Sequence, residues 1–174
     1  MSGAQHTVRG TRPAGRPVRK NGALPYPTDR NLLMSALTLQ QAQTLIQAAF
    51  TEARTQGYKP MGVVVVDAAG QVKALAREDG ASALRLDIAT GKACAAVGMG
   101  ASSRVLTQRA KDLPAFFISL ASVSSQKFVP QTGAVLIKDA ADNILGAAGA
   151  SGGTGDEDEA ICIAGIAAAG LTHG

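Results

Sequence analysis

Apolar positions in the first half of the chain recur with helical spacing. Ala42, Leu45, Ile46, Ala49, Phe50 and Ala53 fall at i, i+3, i+4, i+7, i+8 and i+11, one continuous stripe. Thr38 with Gln41 three residues on is a capping-box pattern, and Gly57 suits the position just past the helix end. The period then changes. Gly62-Val63-Val64-Val65-Val66-Asp67 is a β-branched run without alternation, which predicts a central strand covered on both faces. Ala68–Gln71 reads as a short turn and Val72–Arg77 as a returning strand. Ser82–Gly100 reads mostly as helix and Ser103–Lys111 as a shorter one. Phe116–Leu120 is apolar and brief, and predicts a strand or a buried loop. In the last element, Asp156–Leu171, Ile161, Cys162, Ile163, Ala164 and Ile166 cover every face. Such a helix is expected in the core or in a subunit interface.

The first hairpin is echoed later. Val63–Ala76 reads VVVVDAAGQVKALA and Val135–Ala148 reads VLIKDAADNILGAA, with Asp67 aligned on Asp139. Two hairpins with one turn grammar predict a mostly antiparallel sheet. Helices on both sides make it an α/β protein of the α+β kind, a three-layer α/β/α sandwich. The folded body is expected to be one domain over 32–174. Residues 1–31, rich in Gly, Pro and Arg, are expected to be a flexible basic tail.

Composition sharpens this picture in one respect. The net charge is +4, but residues 1–30 hold six basic residues against one acid, leaving 11 basic and 12 acidic residues for the rest. The body is therefore close to neutral. It lacks the basic face and the stacking aromatics that firm nucleic-acid binding needs. No run is long and apolar enough to span a membrane, and no secretory apolar segment is present. With only Cys94 and Cys162, free thiols and a cytoplasmic location are expected.

Candidate chemistry gathers in two places. Gly149-Ala150-Ser151-Gly152-Gly153-Thr154-Gly155 runs from a strand into a helix, and so brings backbone close to a ligand or another subunit. Asp156, Glu157, Asp158 and Glu159 follow at once, which excludes a phosphate loop and leaves helix capping or a site role open. The second cluster holds Arg85, Asp87 and Lys92. Arg85 and Lys92 share a helix face about 10 Å apart, a spacing that clamps an anion. The alternative is a solvated face or pairing with nearby acids. Small apolar neighbours around Lys92 would lower its pKa and suit it to act as a base. His6 and His173 lie at the termini, so no metal site and no Ser-His-Asp arrangement is expected.

The chain resembles the GlcG/HbpS family from about Leu37 to Leu171. The resemblance rests on Asp87-Ile88-Ala89-Thr90-Gly91-Lys92-Ala93 and on Ser151-Gly152-Gly153 with Asp158-Glu159. It implies a profilin-like sandwich and homo-oligomers. Relatives bind or degrade haem, are fused to PduO-type cobalamin adenosyltransferases, or serve the catabolism of small organic acids. The chain departs from the family at Pro130-Gln131-Thr132-Gly133-Ala134, where a Pro-Gly-Gly-x-Pro segment is common, and at Glu157, usually Gln. With no internal His, an axial haem ligand would come from Cys, Met or Thr, with Cys94, Cys162 and Met99 the first to examine.

The function expected is small-molecule binding, with haem or a related tetrapyrrole as the family's default ligand. Arg85, Asp67, Ser151, Gly152 and Gly153 are the expected ligand-binding residues. The alternative is an enzyme acting on a small carboxylate by proton transfer. There Lys92 would be base or electrophilic cation, Arg85 would hold the carboxylate, and Asp158 or Glu159 would exchange a proton. A scaffold oligomer without a ligand is the third reading.

Overall fold

Two β-hairpins build the sheet, and they are near copies of each other. The first pairs β1 (Gly62–Asp67) with β2 (Val72–Arg77), the second β3 (Ala134–Lys138) with β4 (Ile144–Ser151), all antiparallel. In the first turn Asp67 Oδ1 accepts from the Ala69 and Gln71 amides at 2.9 and 3.0 Å. In the second, Asp139 Oδ1 accepts from Ala141 and Asn143, both at 2.9 Å. Each turn then passes through a left-handed residue, Gly70 at φ 74° and Asp142 at φ 66°. Even the irregularity repeats. Register shifts between Val65 and Val66 and between Ile137 and Lys138 leave Lys73 and Leu145 as the extra residues of two β-bulges.

This computed structural model describes residues 36–125 and 127–174. The expected tail over 1–31, and the domain start at Leu32, lie outside the described residues. The sheet order is β2-β1-β4-β3-β5, where β5 is the two-residue strand Thr172–His173.

Both faces of the sheet are covered, which explains the unbroken valine run. Val63 and Val65 pack with Val135 and Ile137 under α1 (Leu39–Thr55) and α5 (Gly155–Ala168). Val64 and Val66 point the other way, onto Ala89, Ala93 and Ala96 of α2 (Arg85–Met99). Beyond α2 lie α3 (Ser103–Asp112) and α4 (Pro114–Val123), joined to it through Ala95, Leu106 and Phe117. The result is the expected three-layer α/β/α sandwich.

Small residues set the layer spacing. A Cβ on Gly149 would stand 2.3 Å from the Ala89 carbonyl oxygen, so α2 lies directly on the β4 backbone. The α1 capping box forms as the sequence predicts, with Gln41 N donating to Thr38 Oγ1 and Thr38 N to Gln41 Oε1.

Two expectations need correction. Phe116–Leu120 is neither strand nor buried loop but part of helix α4, started by Pro114 in the first turn. Within α4 only Phe117 is buried, whereas Ile118 and Val123 are 73% and 81% exposed. The last helix is also less hidden than its composition suggests. Ile161, Cys162, Gly165 and Ile166 form its buried face, and Ala167 and Ala168 are exposed. Its apolar side is satisfied within the chain, by α1 and the sheet.

Candidate functional site

The charged residues of α2 and α5 meet across the end of the sheet where β4 finishes. Lys92, on the sheet-facing side of α2, is only 4% exposed, and Asp158, in the first turn of α5, only 2%. Lys92 Nζ donates to Asp158 Oδ2 at 2.7 Å and to the Ala150 carbonyl at 3.1 Å. The other carboxylate oxygen of Asp158 accepts from the Gly153 amide at 3.1 Å. Burial pushes the Asp158 carboxyl above its ordinary range, against the opposing pull of Lys92. Gly133 makes room for the pair. Its φ is +122°, and a Cβ there would stand 2.6 Å from Lys92 Nζ and 2.7 Å from Asp158 Cβ.

Arg85, one face and seven residues before Lys92, donates from Nη1 to Ser151 Oγ at 3.3 Å. It makes no ion pair among the described residues. Together Arg85, Lys92, Ser151, Gly153 and Asp158 line an open cleft of about 400 Å³. The cleft is completed by Ile88, Thr107, Gln131, Thr132 and Gly155. None of these five has a ligand role from the sequence, although Gly155 lies in the glycine loop and Ile88, Gln131 and Thr132 lie in segments compared with the family. Ile88 carried a signal, since positions 85, 88 and 92 share one helical face. Thr107, whose hydroxyl lies 3.1 Å from that of Thr132, carried none.

Other expected site residues are placed elsewhere. Asp67 sits in the first hairpin turn, at the far end of β1 from the Gly62–Ser151 pairing, roughly 17 Å away along the strand. Glu159 binds Arg104 at 2.7 Å, Asp156 pairs with the same guanidinium, and neither lines the cleft. Glu157 closes a capping box with Thr154. So the four acids divide: one cap, two partners of Arg104, and one buried in the cleft wall. Glycines of the loop also let it approach other parts of the chain closely. A Cβ on Gly152 would meet Met61 Sδ and the Pro60 carbonyl, each at 2.6 Å, and one on Gly153 would meet Glu157 Oε2 at 2.1 Å.

A second cleft of about 400 Å³ lies toward the other end of α2, beside the first hairpin turn. Cys94, Val97 and Met99 form one wall, with Leu120, Val123, Lys127 and Phe128 opposite. Burial pushes the Cys94 thiol up, and Lys127 acts against that shift. Cys162 is different: it is fully buried on the inner face of α5, and burial pushes its thiol far up. Among the described residues no group of three His, Cys, Asp or Glu is placed to hold a metal ion. No described helix is long and apolar enough to cross a membrane.

Comparison with known proteins agrees with this architecture. No curated protein matches the chain. Among solved structures, a PduOC:haem complex is 27% identical with a TM-score of 0.70, covering 79% of this chain and 97% of that one. A double mutant of Streptomyces reticuli HbpS is 29% identical with a TM-score of 0.67, covering 89% and 97%. Klebsiella pneumoniae protein ORFY is 23% identical with a TM-score of 0.68, covering 77% and 90%, and shares the fold. The profile of the family described as "Haem degrading protein HbpS-like" matches residues 37–167. With that span covering nearly all of the folded body, the chain belongs to the HbpS-like family.

Proposed function

We propose that the protein binds haem or a related tetrapyrrole. The observation that carries this reading is the likeness to a haem-complex structure over 97% of that structure's chain. The donor set of the second cleft fits such a ligand. Cys94 and Met99 are soft sulphur donors of the kinds that hold haem iron. Val97, Leu120, Val123 and Phe128 offer an apolar wall for a porphyrin, and Lys127 a cation for a propionate. The polar cleft fits poorly, because Ile88 is the only large apolar side chain among its described lining residues. Bound haem supplies a redox-active iron. The residues of this chain supply its orientation and its exclusion from water.

Haemin titration of the purified full chain tests this. The expected result is a saturating Soret shift at one haem per chain, lost or displaced in a Cys94→Ser, Met99→Leu double variant. Weak adsorption without saturation, or an unchanged spectrum in the double variant, would reject the ligand or the cleft respectively.

Proton transfer at Lys92 is the less favoured reading. Lys92 is engaged as the donor of a buried ion pair, and Glu159 is held by Arg104 outside the cleft. We also place the protein in the cytoplasm, on the strength of its two free thiols, and expect it to self-associate. Support for self-association comes from α4, where Phe116, Ile118 and Val123 are exposed together.

A further inference from the structure

We infer that the polar cleft between α2 and α5 is a second, separate binding site, for a small carboxylate monoanion bearing a further hydroxyl or carbonyl oxygen. Charge sets the first part of this class. Lys92 and Asp158 neutralise each other at 2.7 Å, so the cleft keeps the single positive charge of Arg85. Arg85 is half-buried and held by a neutral partner, the Ser151 hydroxyl, with no carboxylate within 4.0 Å among the described residues. A planar guanidinium with open donors matches a carboxylate in a two-pronged pairing.

The remaining wall sets the second part. Lys92 has three N–H donors and uses two, on Asp158 and the Ala150 carbonyl, which leaves one for a ligand oxygen. Thr107, Thr132 and Gln131 add neutral polar groups on the facing side. A dianion such as phosphate would bring one charge more than the cleft can match, next to the buried Asp158 carboxylate. This inference does not rest on the haem reading, since the two clefts share no lining residue.

Isothermal titration of the full chain with sodium lactate, sodium propionate and sodium phosphate, at matched ionic strength, tests it. Lactate is expected to bind saturably at one per chain, propionate more weakly, and phosphate not at all. Arg85→Gln should weaken lactate by about ten-fold or more, as loss of a charged hydrogen-bonding partner does. Arg85→Lys, which keeps the charge and loses the fork, should fall between. Arg109→Gln, an equal charge change at an exposed site outside the cleft, should bind as wild type does. Circular dichroism confirms that each variant is folded. Absence of saturable lactate binding, binding equal in wild type and Arg85→Gln, or phosphate binding tighter than lactate would each overturn the assignment.

Discussion

Lys92 and Asp158 show why a buried ion pair is read through its partners rather than its attraction. Taking both charges out of water costs several kcal/mol each, and only close geometry offsets this. Here the geometry is close, at 2.7 Å, with the Ala150 carbonyl and the Gly153 amide holding the outer atoms. Removing one partner strands the other. Lys92→Met or Asp158→Leu alone should therefore lose about 3–5 kcal/mol in urea unfolding, and the double variant should recover most of it. Additive losses would show that the two side chains are not coupled. The pH dependence of stability follows from the same burial. Asp158 has its pKa raised in the folded state above the ordinary 3.8, so folding favours its protonated form. Its contribution is fully present below 3.8 and is lost as pH rises through the raised value. Melting temperatures of wild type minus Asp158→Asn should therefore decline as pH rises from 3.8. A rising difference would show that the Lys92 attraction outweighs burial. Asp139 has the opposite sign. Hydrogen bonds from Asn143 lower its pKa, so its contribution holds above 3.8 and fades as pH falls.

Elements were legible where a periodic signal and a cap agreed. The stripe from Ala42 to Ala53 and the Thr38–Gln41 box fix α1, whose boundaries are Leu39 and Thr55. The hairpin echo carried further than expected, since equal turn residues also produced equal bulges at Lys73 and Leu145. The apolar residues of α4 follow no helical period, so Pro114 at its first turn is the one sequence signal for a helix there. In α5 the four acids could not be ranked by composition. Helical phase would have ranked them, because Asp158 lies four residues before Cys162 on the buried face, while Asp156 and Glu159 face Arg104. Lys92 was legible from its small apolar neighbours, but its partner depended on a contact 66 residues away. Exposed large apolar side chains are carried by α4, at Phe116, Ile118 and Val123. Ile118→Glu should therefore leave stability within about 0.5 kcal/mol, because the site is exposed, and should shift the protein toward monomer in light scattering. An unchanged mass would remove the support that α4 gives to self-association.

At the scale of the whole molecule, the two edges of the sheet are not alike. On one side β5 pairs Thr172 and His173 with Lys138 and Ile137, so the chain end covers part of the β3 edge. On the other side, among the described residues, β2 pairs with β1 alone and no strand faces its outer rim. Exposed Val72 and Leu75 flank that rim, with Lys73 at the bulge between them. Among the described residues, sheet extension therefore has one long open edge to use. Two copies that joined β2 to β2 would consume both open edges at once and stop, as a closed ten-stranded pair. A fold with two equivalent open edges would instead grow into a filament. The short strand at the end of this chain, two residues long, is what separates those outcomes.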